Sequence, residues 1–249
     1  MELELFKVGG CVRDEILGLN PNDTDFVVEA PSFQELREFI NSRGFQGVQN
    51  PRKTKAEDLT PFRFQEFPLT LTLKAKDPVT GEVCDFACSR REFDYNEGRI
   101  PSRCEVGSLL EDLSRRDFTF NAIAKGEDGR IIDPFHGRDD LENKIIRTVG
   151  DAKDRFSENP IRIIRALIFF CRFKDFTFDS QIIQAFKDQE LLNLLSIESD
   201  DRKLKGLNKI LVNKDQNLDL LKLLVQFPLL HQAIFSNVGL LASRKQVFI

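Results

Sequence analysis

Apolar and polar positions follow two regimes along this chain, first a mixture of two-residue and helical periods, then helical periods alone. From Leu5, LFKVGGCVRDEILGL reads as a short strand, a Gly-Gly turn and a helix, and NPNDTDFVVEA as a turn and a strand centred on Phe26, Val27 and Val28. In SFQELREFINSRGF, Phe33, Leu36, Phe39 and Ile40 recur at helical spacing behind the N-cap candidate Ser32, and Gly44 supplies a stop. The stretch from Gln49 to Pro68, rich in Pro, Lys, Arg and Thr, has no clear period and predicts a mobile loop. PLTLTLKA and GEVCDFACS predict two strands, joined into a hairpin by the turn signal Asp77-Pro78-Val79-Thr80-Gly81. A loop holding Gly98 and Pro101 then leads to SLLEDLSRRDFTFNAIA, which reads as helical, and DGRIIDPFHGRDDLENKIIR reads as a strand, a turn and a short helix.

From Asp151 onward no strand pattern appears, and NPIRIIRALIFFCRF, SQIIQAFKDQELLNLL and NLDLLKLLVQF predict helices. The chain therefore reads as an α/β head of about 140 residues followed by a small helical domain, with no internal repeat.

Composition narrows the classes. The 249 residues are 41% hydrophobic and 31% charged, which suits a folded globular protein and neither a disordered nor a membrane one. No apolar run reaches the roughly 18 residues of a membrane span, and MELELFKVGG lacks the features of a secretory signal, so the expected place of action is the cytosol. A net charge of -4 gives no general attraction for nucleic acid, so any such binding must rest on local basic patches. Cys11, Cys84, Cys88, Cys104 and Cys171 form no CxxC pair, and only His136 and His231 accompany them, which argues for reduced thiols over zinc or a disulfide framework.

Candidate chemistry begins at Asp23-Thr24-Asp25. At the entry to a strand, residues two apart point the same way, so both carboxylates face one side. Paired carboxylates raise each other's pKa unless a cation lies between them, and Mg²⁺ takes a few such oxygens together with substrate phosphates. An isolated pair of this kind is more often a polar turn, but the context differs here. Gly9 and Gly10 allow close approach of a ligand to the backbone, and the helix behind them aims N–H groups outward. Arg13 in its first turns offers a fork of donors for phosphate oxygens. Asp85 adds an acid within an otherwise apolar strand, sharing a face with Val83 and Ala87; its alternative is an edge strand with the acid toward water. Two acids on one strand and one on a neighbour describe a two-metal site for in-line attack on phosphorus.

These stretches, KVGGCVRDEILG with DTDFVV, then LLEDLSRRDFTFNAIA, IIDPFHGRDDLENKIIRTVG and RFSENPIRIIRALIFF, resemble in order the motifs of class II (bacterial-type) tRNA nucleotidyltransferases, the CCA-adding enzymes, and of bacterial poly(A) polymerases. The resemblance covers about residues 5 to 180. It implies an α+β fold, a polymerase-β-like nucleotidyltransferase head with a mixed sheet over residues 1–140 and a small all-helical neck and shortened body over 141–249. It implies that Asp23 and Asp25 hold Mg²⁺ and that Asp85 is the third catalytic acid. Gly9, Gly10 and Arg13 would hold the triphosphate, and Arg116 with Asp117 would recognise the ribose from a helix anchored by Phe118, Phe120 and Ile123. DPFHGRDDL matches the family's connector, where His136 is a turn residue with no metal role.

Asn159, Arg162 and Arg165 match the helix whose side chains bond the incoming base, with two departures. The family has Asp where this chain has Asn159, and a third Arg where it has Ile168. Asn presents a donor as well as an acceptor, which alters the code offered to a base. Losing one charged hydrogen bond is worth roughly 1.5 to 3 kcal/mol, enough to shift selectivity tenfold, unless Ile168 simply extends the core stripe. Only about 70 residues follow the matched region, so RNA grip is expected to be reduced or shared with a partner chain. Arg52, Lys53, Lys55 and Arg63 would either contact phosphates or lie in a solvated loop, and NVGLLASRKQVFI would pack on the helical domain or a partner. The implied reaction adds CMP or AMP, from CTP or ATP, to the 3′ end of tRNA. Poly(A) or single-base addition, and a binding module without turnover, are the rivals.

Overall fold

The computed structural model describes residues 3–21, 23–48, 64–96, 100–212 and 214–235. The basic run of Arg52, Lys53, Lys55 and Arg63 and the C-terminal NVGLLASRKQVFI lie outside the described residues. Two compact units divide the chain, one holding Met1–Asn96 and Ile100–Asp139, the other beginning at Asp140.

In the first unit, β1 (Leu5–Val8) turns through Gly9 into α1 (Gly10–Ile16), and β2 (Asp25–Val28) returns antiparallel with Phe6 opposite Val27. α2 (Phe33–Ser42) starts at Ser32, whose hydroxyl accepts from Glu35 N at 3.1 Å, and Gly44 follows its end with φ 82°. After β3 (Gln46–Gly47), the stretch expected to be a loop ends in β4 (Gln65–Phe67) and a 3-10 turn at Pro68–Thr70. Three residues are too few to display a period. β5 (Thr72–Lys76) and β6 (Val83–Cys88) form the expected hairpin, its turn closed by Asp77 Oδ1 accepting from Val79 N at 2.7 Å and Thr80 N at 2.9 Å.

A second hairpin, β7 (Arg90–Asn96) and β8 (Ile100–Val106), occupies the segment read from sequence as a loop. RREFDYN and IPSRCEV carry charge where an apolar face would announce a strand, and the pair is laced by polar contacts, with Arg103 stacked 4.6 Å over Phe93. α3 (Leu109–Ser114) opens on a Ser108–Glu111 capping box and stops after six residues, although the helical reading ran on to Ala124. Phe118 is extended, Thr119–Asn121 form a 3-10 turn, and β9 (Ala124–Gly126) follows. The alternating Phe118-Thr119-Phe120 buries both rings completely, which a continued helix would not do. β10 (Ile131–Ile132) completes the unit's strands, and α4 (Gly137–Glu142) crosses the division between units.

The strands order as β10-β9-β1-β2-β6-β5-β3, with β4 also on β5. Among the described residues β2 pairs β6 in parallel and the other pairings of this sheet are antiparallel. One face carries a core cluster in which Leu5, Val28, Leu36, Ile40, Leu73 and Phe86 are buried together and Phe26 stacks on Phe86 at 4.9 Å, and Phe6, Val8 and Val27 are buried on the other face. On β6, Cys84, Phe86 and Cys88 point into that core, so Asp85 and Ala87 take the opposite face.

Among the described residues the second unit is helical except for β11 (Ile145–Ile146) and β12 (Thr177–Phe178), a parallel pair of two residues each. β12 corrects the reading of no strand beyond Asp151. Its helices are α5 (Ala152–Glu158), α6 (Ile161–Arg172), α7 (Ser180–Ala185), α8 (Gln189–Ile197), α9 (Asp200–Leu211), α10 (Lys214–Gln226) and α11 (Pro228–Phe235). SQIIQAFKDQELLNLL breaks into α7 and α8 because Asp188 caps the second, accepting from Glu190 N at 2.9 Å. α6 lies close to α9 at Gly206, where a β-carbon would stand 2.7 Å from Ile164 Cγ2. Among the described residues no single helix is long and apolar enough to cross a membrane.

Candidate active site

The sheet face opposite the core gathers the predicted acids. Asp25 and Asp85 are Cα partners in the parallel β2–β6 register, and Asp85 N donates to Thr24 O at 3.3 Å. Burial, then the Asp85 charge, push the Asp25 carboxyl above its usual range; Arg116 offsets part of this, while Asp23 adds to it. Asp23 and Asp85 thus both lie within electrostatic reach of Asp25. Among the described residues no three acidic, His or Cys side chains are closed up as a ready cation cage. Instead Lys74, the register partner of Asp85 on β5, bonds its carboxylate at 2.7 Å. Hard carboxylate oxygens under mutual repulsion remain the donor set that suits Mg²⁺.

Gly9 sits at the head of the seven-residue α1 with φ 71°, and a β-carbon there would stand 2.8 Å from Arg116 Nη1. Glycine is therefore required there by conformation, and a side chain would also displace the guanidinium against it. A β-carbon on Gly10 would be in ordinary contact, 3.5 Å from Arg13 Nη2. Cys11 Sγ donates to Val8 O at 3.2 Å and reaches Asp25 O at 3.8 Å, tying α1 to β1 and β2.

Arg13 departs from the sequence reading. Its side chain is only 5% exposed, and its fork closes on protein groups: Nε on Asp14 Oδ1 at 2.8 Å, Nη1 on Asn121 Oδ1 at 2.6 Å. A direct grip on phosphate oxygens does not fit this arrangement. The cause is the pair of buried acceptors, which a cation in a low-dielectric site must satisfy.

Arg116 and Asp117 lie in the turn after α3, off the helix expected to carry them. Arg116 Nη2 donates to Asp112 Oδ2 at 2.9 Å, Nη1 reaches Asn121 O at 3.4 Å, and its Nε is buried with no hydrogen-bond partner. Such a donor is costly until an acceptor arrives. Asp117 is 8% exposed, and its Oδ1 accepts from Phe118 N and Asn121 Nδ2, both at 2.9 Å. Phe118, Phe120 and Ile123 are fully buried, so the anchors are as expected although the helix is not.

Three residues escaped the sequence reading. Asp112, with no exposed surface, holds Arg115 at 2.6 Å and Arg116 at 2.9 Å. Burial works to raise its carboxyl, but Arg116 and Arg115 outweigh it and hold the group below the usual range. The i,i+3 and i,i+4 spacing in EDLSRR was a visible signal. Lys74 was legible too, because the predicted hairpin turn places it across from Asp85. Asn121 gave no local signal.

In the second unit, Asn159 caps the space between α5 and α6, its Oδ1 accepting from Ile161 N at 3.3 Å. Arg162 is 8% exposed and donates to Glu158 Oε2 at 2.6 Å, whereas Arg165 is exposed with its guanidinium 5.8 Å from the Phe169 ring. Ile168 is half-buried, its Cδ1 3.9 Å from the β-carbon position of Gly206, which is the core-stripe alternative for that position. The five cysteines are unbridged, and burial pushes Cys84 up to about 11 and Cys88 and Cys171 to about 12.

A mixed sheet carrying acids on the face opposite Phe86, followed in sequence by a mainly helical region, is the architecture of a polymerase-β-like nucleotidyltransferase head. The chain belongs to the poly A polymerase head domain family, which matches residues 5–147. It is 35% identical over 179 residues to the Multifunctional CCA protein of Psychromonas ingrahamii, covering 71% of this chain and 37% of that one. To the CCA-adding enzyme of Limosilactobacillus reuteri it is 35% identical over 199 residues, 78% of this chain and 43% of that one. A tRNA nucleotidyltransferase solved with a primer tRNA and an incoming ATP analog superposes with a TM-score of 0.69 at 30% identity, over 93% of this chain and 59% of that one. The Thermotoga maritima CCA-adding enzyme complexed with tRNA gives 0.70 at 25% identity, over 94% and 48%. The chain therefore spans less than half the length of these curated relatives.

Proposed function

We propose that this chain is a template-independent RNA nucleotidyltransferase that adds CMP, AMP or both to the 3′ end of tRNA. The observation that carries the reading is the register pairing of Asp25 with Asp85, with Asp23 close enough to perturb Asp25, beside the Gly9–Arg116 contact. The relatives' names, and the tRNA, ATP analog and CTP in solved neighbours, suggest the substrates, tRNA with CTP and ATP. In this reading residues 1–140 are the catalytic head and residues 141–249 belong to the helical region that follows it. Five unbridged thiols suit a reducing cytoplasm.

Asp23 and Asp25 would hold Mg²⁺, and Asp85 would orient and deprotonate the RNA 3′-hydroxyl. Bound there, divalent ions supply charge stabilisation for the attacking and leaving oxygens. The attack is on the α-phosphorus of the nucleotide, and pyrophosphate leaves. Gly9 and Gly10 bring backbone close to the triphosphate, and the partly exposed guanidinium of Arg116 stands beside Gly9 to meet it or the ribose. Arg13 acts from beneath, through its bonds to Asp14 and Asn121. Asp117 accepts from the sugar hydroxyl, and Asn159, Arg162 and Arg165 face base selection.

The test is to incubate the full chain with tRNA lacking its terminal nucleotides and each nucleoside triphosphate separately, then sequence the extended ends. Addition of C, A or both, abolished by Asp25→Asn, is the expected result. Long runs of A alone favour the poly(A) reading, which the substitution of Asn159 for the family's Asp supports. Nucleotide binding without pyrophosphate release on any RNA would reduce the protein to a binding module.

A further inference from the structure

Asn121 belongs to none of the roles assigned above, yet it touches each part of the sugar corner. Its backbone oxygen lies 3.4 Å from Arg116 Nη1 and 3.7 Å from the β-carbon position of Gly9. Its side chain, 5% exposed, joins two charged groups: Oδ1 accepts from Arg13 Nη1 at 2.6 Å, and Nδ2 donates to Asp117 Oδ1 at 2.9 Å. Arg13 and Asn121 are 108 positions apart in sequence, so no local rule requires this contact.

The chemistry fixes the amide in one orientation. A guanidinium only donates and a carboxylate only accepts, so the oxygen must face Arg13 and the NH₂ must face Asp117. Few neutral side chains of this length offer an acceptor at one corner and a donor at the other. Asp117 Oδ1 thereby has Phe118 N and Asn121 Nδ2 among its partners, and these bonds help to set the plane of the carboxylate and the direction of its second oxygen. Because a site built to bond a hydroxyl rejects an analogue lacking it only when the bonding group is rigidly placed, that direction matters more than the charge alone.

We infer that Asn121 is a positioning residue that sets the discrimination between ribo- and deoxyribonucleotides by clamping Asp117 to Arg13. The inference rests on the reading of Arg116 and Asp117 as the sugar-binding corner. Asn121→Asp keeps the acceptor toward Arg13 but puts a second carboxylate against Asp117. Asn121→Ser loses the reach to Asp117 without adding charge.

The experiment measures kcat/KM for ATP and dATP, and for CTP and dCTP, on shortened tRNA with wild type and both variants, well below the lowest melting temperature of the three. The expected result is a fall of tenfold or more in the ribo-to-deoxy ratio in both variants, from slower use of the ribonucleotide with the deoxynucleotide rate little changed. An unaltered ratio in a folded variant overturns the inference, as does equal loss for both sugars. Failure of both variants to fold makes Asn121 a residue of stability alone and overturns it too. Wild type that extends no RNA sinks the proposed function instead, and wild type that uses both sugars equally sinks the sugar corner.

Discussion

Asp25 of β2 and Asp85 of β6 stand directly opposite each other across a parallel pairing, and burial together with that neighbouring charge raises the Asp25 carboxyl above its ordinary range. The fold therefore carries repulsion at the site proposed for chemistry. Asp25→Asn removes the charge while keeping the shape. It is expected to stabilise the protein by about 1 kcal/mol, or about 2–4 °C in melting temperature, while abolishing nucleotide addition. Thermal melts at neutral pH with chelator present check the first part; a variant less stable than wild type would show that Asp25 is not under repulsion.

Lys74 bears on the same acids. It bonds Asp85 at 2.7 Å, with side-chain exposures of 35% and 44%, so the pair is half open to water and contributes little to stability, under about 1 kcal/mol. Its electrostatic effect is larger, since an ammonium beside Asp85 competes with any added cation. Lys74→Met is expected to leave the melting temperature nearly unchanged and to lower the Mg²⁺ concentration for half-maximal nucleotide addition severalfold. A magnesium titration of the two proteins under identical salt reads this directly.

Asp112 contributes to the acid limb of stability. Its carboxyl is pulled below the ordinary 3.8 because Arg116 and Arg115 outweigh the burial that would raise it. With the folded value below the unfolded one, the unfolded chain binds more protons between the two, so stability falls as pH drops through that interval. The contribution is complete above about pH 4 and is lost below 3.8, as pH falls through the folded value. Asp112→Asn breaks a buried ion pair, expected to cost about 3–5 kcal/mol at neutral pH. Urea melts of both proteins from pH 7 downward should show the gap narrowing in the acid range; a constant gap would assign the loss to packing.

What the sequence makes legible depends on how local the cause is. The Gly-Gly turn, the Ser32 cap and the β5–β6 hairpin each follow from residues within one or two turns of chain, and the structure has them. DTD and the Asp85 strand were legible as acids, and their convergence needed only the parallel β2–β6 pairing. The β7–β8 hairpin was hidden because its cohesion comes from Arg, Glu and Phe side chains in place of an apolar stripe. The α3 helix was over-extended because burial of Phe118 and Phe120 overrides helical propensity. Arg13 was misjudged for a related reason: its partner Asn121 is distant in sequence, so a phosphate was assumed where a protein acceptor stands.

Gly137, in the DPFHG connector, is the remaining test of how the sugar corner is built. Asp133 accepts from Gly137 N at 2.8 Å and Arg138 N at 2.9 Å, pinning the turn, and a β-carbon on Gly137 would collide with Thr119 O and stand 2.9 Å from Phe120 Cα. Those are backbone atoms of the same 3-10 turn that carries Asn121, so relief requires the turn itself to move. Gly206 offers the contrast, because its β-carbon would meet the Ile164 Cγ2 methyl at 2.7 Å, and a side chain can rotate or shift. Gly137→Ala is thus expected to cost at least the upper end of the ~1–3 kcal/mol typical of overpacking, and Gly206→Ala less. The two also separate by function. Displacing Thr119–Asn121 should reduce the ribo-to-deoxy preference in Gly137→Ala, whereas Gly206→Ala, which touches only α6 and α9, should leave that ratio as in wild type. Paired melting curves and nucleotide ratios decide it, and a Gly137→Ala protein with wild-type values of both would mean that the connector does not brace the turn.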